Sequence, residues 1–255
     1  MRADIGSQCL ECYRAGRPAA ATRVKYWSAG QQTIATYAMM AISIAVFLWA
    51  GLGDPDNMAG RRITPQAEDL ALTEAAISRY EFRVFGTATG EWYRVVTSGF
   101  YHYGILHLAF NMFMLYQLGR LLEPLVGRIR FVLLYVAALL GGSAGVLLLT
   151  PNALTAGASG AVFGLLGAAA IAQYQRGINP LSTSLGTVLM LNLLITFWLP
   201  NISIGGHVGG LLAGAAAGWF TTAPKQRAMP AAVTYAAPVV VAAAAAAICY
   251  AAGRL

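Results

Sequence analysis

Apolar residues in this chain fall into seven long runs, 33–52, 104–122, 131–149, 159–174, 182–199, 206–222 and 231–252, with polar segments between them. The runs show no alternation of period two, and most approach the roughly 20 residues a helix needs to cross the hydrocarbon core of a bilayer. Lipid offers an open backbone no hydrogen-bond partners, so the pattern predicts an all-α polytopic membrane protein with seven spans and no barrel strands. The runs 159–174 and 206–222 are short and glycine-rich. Such spans are expected to line a site and not to face lipid.

The polar segment 53–101 carries a helix signal of its own. Thr64 followed by Pro65, with Glu68 and Asp69 in the first turn and apolar residues spaced through Ile77, predicts a short helix. It would lie on the outer leaflet or stand solvated in the loop.

Composition agrees with lipid as the solvent. Of the 255 residues, 58% are hydrophobic and 11% charged, against roughly 25% charged in a soluble domain. The net charge of +7 does not point to nucleic acid, because the basic residues sit in short segments between apolar runs. Arg2, Arg14, Arg17, Arg23 and Lys25 precede the first run, Arg120, Arg128 and Arg130 follow the second, Arg176 the fourth, and Lys225 and Arg227 the sixth. The alternate segments 150–157 and 200–205 carry no charge, and 53–101 holds seven acidic against five basic residues. The positive-inside bias then predicts a multi-pass protein of the plasma (inner) membrane with a cytoplasmic N-terminus.

Residues 1–32 lack the apolar core and cleavage site of a signal peptide, so this tail is expected to stay on the chain. Its Cys9 and Cys12 make a single Cys-x-x-Cys pair. A structural zinc site wants four ligands, and the tail has no second pair and no histidine, so no metal is expected there. Residues 225–255 hold the last, alanine-rich run, which predicts an anchoring helix.

Polar side chains inside spans are costly and mark functional sites by default. All three histidines, His102, His107 and His207, fall at the starts of the second and sixth runs. Asn111 follows His107 by four residues and shares its helix face. The second, fourth and sixth runs cross in one direction, so His107, Asn111, Ser159 and His207 lie at similar depth.

Glycine spacing brings two of these residues together. The sixth run carries Gly206, Gly210, Gly214 and Gly218, and the fourth carries Gly160, Gly164 and Ala168. Small-residue stripes permit close backbone approach. Ser159 precedes one stripe and His207 follows the first residue of the other, so packing the stripes sets the two side chains side by side. Such stripes also serve generic packing; the ionisable residue at the top of one of them favours a site.

A serine hydroxyl needs a base to accept its proton, and neutral histidine suits the task. Ser159 is therefore the candidate nucleophile and His207 the candidate general base. His107, Asn111 and the Ser159 backbone N–H, at a helix N-terminus, are candidate donors to an oxyanion. The one acid near a span, Glu123, sits at the far end of the second run, which predicts a dyad without a carboxylate. Glu123 itself is expected to pair with Arg120 or Arg128. A transporter is disfavoured because the polar groups cluster in one leaflet with no matching relay. A soluble hydrolase is disfavoured because Gly157-Ala158-Ser159-Gly160-Ala161 lacks both the final glycine and the preceding strand of a nucleophile elbow.

At these residues the sequence resembles the rhomboid intramembrane serine proteases. The matching pieces are Gly90-Glu91-Trp92-Tyr93-Arg94, then His102, His107 and Asn111, then Gly157-Ala158-Ser159-Gly160, then Gly206-His207 with Gly209 and Gly210. Their order and spacing match over residues 33–222. The resemblance implies a six-helix catalytic core, 33–224, with a seventh helix appended. It also implies a Ser159–His207 dyad, an oxyanion pocket involving His107 and Asn111, and supporting roles for His102, Trp92 and Arg94.

Substrates would be single-pass transmembrane proteins, cut near the outer face of the membrane, with no metal or cofactor. Many members carry tyrosine four residues after the nucleophile, where this chain has Phe163, able to stack on the histidine but not to donate a hydroxyl bond. Non-catalytic relatives that bind transmembrane segments usually lack the serine or the histidine, and this chain keeps both.

Overall fold

The computed structural model describes residues 33–198, 202–224 and 229–253. Cys9, Cys12, the basic residues of the tail, Lys225 and Arg227 lie outside the described residues. The described residues form seven long helices: α1 (Ile34–Gly53), α5 (Ile105–Val126), α6 (Arg128–Leu149), α7 (Ser159–Tyr174), α8 (Ser184–Trp198), α9 (Ile204–Thr221) and α10 (Ala231–Ala252). Three short helices, α2 (Pro55–Ala59), α3 (Pro65–Leu70) and α4 (Arg94–Thr97), fold the first loop.

Among the described residues, α1, α5, α6 and α10 are long and apolar enough to cross a membrane, while α7 and α8 are apolar but shorter. The protein is an all-α polytopic membrane protein. The exposed apolar side chains of the outer helices, among them Leu48, Trp49, Phe110, Phe113, Leu194 and Val240, are the surface that lipid would cover.

At the centre, α6 is packed on both α7 and α9. Its glycines and alanines let backbones touch. A Cβ on Gly209 would overlap the Gly141 carbonyl oxygen, and one on Gly205 would overlap that of Gly145. The neighbouring face of α9 does the same to α7, with Gly210 on the Gly160 carbonyl and Gly214 on the Gly164 carbonyl. Without side chains between them, the helices gain dispersion contacts that larger residues would prevent.

The far end of α5 departs from the sequence-based expectation for Glu123. Its carboxylate is bonded to the start of α1, while Arg120 donates to the Tyr116 hydroxyl. It accepts from the backbone N–H groups of Ala35 (2.9 Å) and Thr36 (2.8 Å) and from the Thr36 hydroxyl (2.7 Å). The first turn of a helix has N–H groups with no intrahelical acceptor and carries the positive end of the dipole, so a buried carboxylate is its natural cap. Gly119, one turn earlier, leaves room for the Thr36 side chain.

The helix expected from Thr64 to Ile77 stops at Leu70. Thr64 does cap it, accepting from Ala67 N–H at 3.3 Å. Beyond Ala71 the chain is extended, because Leu72 exchanges backbone hydrogen bonds with Thr155, both 2.8 Å. Ala76–Ile77 then forms a two-residue strand, β1, antiparallel to β2 (Val84–Phe85). Glu68 is buried and accepts from the Ser78 hydroxyl (2.6 Å) and Arg79 N–H (3.0 Å), closing the hairpin onto α3.

The last helix, α10, lies along α6. Arg130 donates to the Thr234 hydroxyl (2.8 Å) and stands 4.3 Å from the Tyr235 ring. Ala245, Cys249 and Ala252 pack with Val146 and Leu147.

Candidate active site

The site forms where the N-terminal turns of α7 and α9 meet. Ser159 is the first residue of α7. Before it the chain turns through Gly157 at φ +130°, a conformation that side-chain-bearing residues rarely adopt. Two hydrogen bonds hold this turn. Gly157 N–H donates to the Ser98 carbonyl (2.8 Å), and Ala158 N–H donates to Nε2 of the buried His102 (3.2 Å). Nδ1 of His102 lies 3.1 Å from the Phe100 carbonyl. A carbonyl only accepts, so Nδ1 carries the proton and Nε2 the lone pair that Ala158 requires.

Helix α9 begins at a serine cap, with Ser203 Oγ accepting from Gly206 N–H at 3.0 Å. One residue on, His207 is buried at 8% exposure. Its Nε2 lies 2.9 Å from Ser159 Oγ. The Phe163 ring, one turn below Ser159, is stacked on the imidazole, with centroids 4.0 Å apart and planes 16° apart. The contact fixes the plane of the imidazole while Gly160 and Gly210 set the distance between helices. Nδ1 of His207 lies 2.7 Å from the hydroxyl of Thr196 on α8.

The opposite wall is the first turn of α5. The His107 imidazole lies against Gly157, where a Cβ would come within 2.7 Å of its Cε1 and Nε2. It meets His102 edge-on at 5.2 Å. Asn111, 6% exposed, donates one amide proton to the His107 carbonyl at 2.9 Å, which leaves its second proton for another acceptor. His107 and the Ser159 hydroxyl thus both border Gly157, where a Cβ would lie 2.7 Å from the imidazole and 3.8 Å from Oγ.

Arg94 and Trp92, which the family resemblance assigns supporting roles, lie away from the Ser159–His207 contact. Arg94 is fully buried in the first loop, where it pairs with Glu91 at 2.6 Å and donates to the Ala71 carbonyl at 2.9 Å. Burial raises the Glu91 carboxyl, but hydrogen bonds from Arg94, Gly86 N–H and Arg83 outweigh it and hold the group below the usual glutamate range. Trp92 rests on Tyr250 of α10, with rings 5.4 Å apart. Arg94 supports the turn before Ser159 at second hand, through α4 and Ser98 and through Ala71, whose neighbour Leu72 is bonded to Thr155. Nothing in the sequence singles out Thr196. A threonine in an apolar span usually bonds back to its own helix, and only the return of α9 past the end of α8 places an imidazole beside it. Among the described residues no three His, Cys, Asp or Glu side chains are grouped to hold a metal ion.

Fold and site together define a helical membrane protein with a serine–histidine pair enclosed between two close-packed spans. The chain belongs to the rhomboid family: the family model described as Rhomboid domain matches residues 89–224, more than half of the 255. Among its relatives is Rhomboid protease GluP of Bacillus subtilis, 39% identical over 130 residues, which cover 50% of this chain and 25% of the relative. A rhomboid-named protein of the same organism, YdcA, is 32% identical over 167 residues, or 63% of this chain and 81% of the relative. RHOMBOID-like protein 5 of Arabidopsis thaliana is 39% identical over 134 residues, 49% of this chain and 42% of the relative.

Proposed function

We propose that this protein is an intramembrane serine endopeptidase that cleaves transmembrane segments of single-pass membrane proteins by a Ser159–His207 dyad. The observation that carries the reading is the 2.9 Å separation of Ser159 Oγ and His207 Nε2 inside the helical core. A general base must stand within about 2.6–3.2 Å of the proton it takes.

In the proposed reaction Ser159 Oγ attacks the scissile carbonyl carbon as its proton passes to His207 Nε2. The carbonyl oxygen becomes an oxyanion, received by the Ser159 N–H together with His107 and Asn111; one such donor is worth about 3 kcal/mol of barrier. The tetrahedral intermediate expels the amine, which takes the proton from Nε2, and leaves an ester on Ser159. Water, deprotonated by the same nitrogen, then releases the acid product and restores the serine. His102 holds the turn before Ser159, Phe163 holds the imidazole plane, and Gly157, Gly160, Gly206 and Gly210 permit the close approach.

The charge pattern supports a cytoplasmic N-terminus in the plasma (inner) membrane, which puts the site near the outer face. GluP, named a protease, supports the activity by relationship. The test is cleavage of a membrane-anchored reporter in vesicles. Ser159→Ala in folded protein should abolish cleavage, and unchanged cleavage would overturn the assignment.

A further inference from the structure

We infer that Thr196 is a positioning residue of the dyad, holding His207 in the one neutral tautomer that can accept the serine proton. The inference rests on the Ser159–His207 reading above and supplies the part that a carboxylate would otherwise play.

Thr196 is 1% exposed in the last turn of α8. Its Oγ1 has two close partners, the Asn192 carbonyl oxygen at 2.7 Å and His207 Nδ1 at 2.7 Å. The hydroxyl has a single proton. A carbonyl oxygen can only accept, so two oxygens at this separation need the proton between them. The proton therefore points at Asn192, and a lone pair of Oγ1 faces Nδ1. Nδ1 must then carry the imidazole proton, which leaves Nε2 as a lone pair 2.9 Å from Ser159 Oγ.

The three bonds form one directed series, from Ser159 to His207, from His207 to Thr196, and from Thr196 to the Asn192 carbonyl. Reversing the tautomer would force Thr196 to abandon Asn192 and would aim an N–H at Ser159. During reaction the serine proton moves to Nε2 and the Nδ1 proton stays on its bond to Thr196. Thr196 exchanges no proton with the reacting groups.

Two substitutions separate this role from packing. Thr196→Val keeps the shape and removes the hydroxyl; Thr196→Ser keeps the hydroxyl and removes a methyl. In vesicles with a transmembrane reporter, Thr196→Val should lower kcat roughly tenfold, about 1.4 kcal/mol of barrier, with KM within about twofold, and Thr196→Ser should retain most of kcat. Equal losses in both variants, or no loss in Thr196→Val, would overturn the inference.

A spectroscopic reading on the unaltered protein keeps the inference testable even where Thr196→Val does not fold. With histidine labelled with nitrogen-15 and His207 assigned by its loss in His207→Ala, the neutral form should show a protonated Nδ1 and an unprotonated Nε2. The reverse tautomer would contradict it. Failure of the dyad itself reads differently, as full cleavage by Ser159→Ala, so the two failures cannot be confused.

Discussion

Gly210 of α9 lies directly against the Gly160 carbonyl of α7, so close that a single added methyl would overlap that oxygen. The neighbour is helix backbone and cannot swing aside. Gly210→Ala must therefore part the two helices, and the parting falls one turn from the Ser159–His207 contact. Overpacking of this kind costs about 1–3 kcal/mol. Reporter cleavage by Gly210→Ala should fall at least tenfold, with a lower unfolding midpoint in detergent. Leu212→Ala, at a position 64% exposed, should change neither.

The Glu123 cap predicts a stability effect remote from the site. Glu123→Ala would strand two backbone N–H groups and a hydroxyl at the start of α1. A buried donor left unpaired costs about 1–3 kcal/mol, so equilibrium unfolding should show a loss of at least that size. Arg120→Ala should be near neutral, since Arg120 bonds to the Tyr116 hydroxyl and not to Glu123. Equal losses in the two variants would restore the pairing expected from sequence.

Acid should loosen the first loop through Glu91. Its folded carboxyl titrates below its unfolded value, so its contribution to stability is present above the unfolded pKa and is lost as pH falls through the folded pKa. At neutral pH Glu91→Gln should lower the thermal midpoint. The gap between the two proteins should close as the pH falls below the ordinary glutamate range, and a gap that widens in acid would contradict the pairing.

These elements also show what the chain reveals before it is folded. The meeting of Ser159 with His207 was legible because it follows from backbone geometry. Spans running in one direction share a depth, and glycines every four residues fix which faces touch. The partner of Glu123 was hidden because it is a helix start, whose donors are backbone groups that carry no side-chain signature. The end of α3 was hidden because Leu72 finds its strand partner at Thr155, more than eighty residues on. Thr196 was hidden for the same reason, its imidazole arriving from a different helix.

The most direct measurement of the central claim is covalent labelling of the folded, full-length protein by a fluorophosphonate, with the modified residue located by mass spectrometry. The label should sit on Ser159, should vanish in Ser159→Ala, and should form at least a hundredfold more slowly in His207→Ala. Labelling elsewhere, or an undiminished rate without the imidazole, would contradict the account.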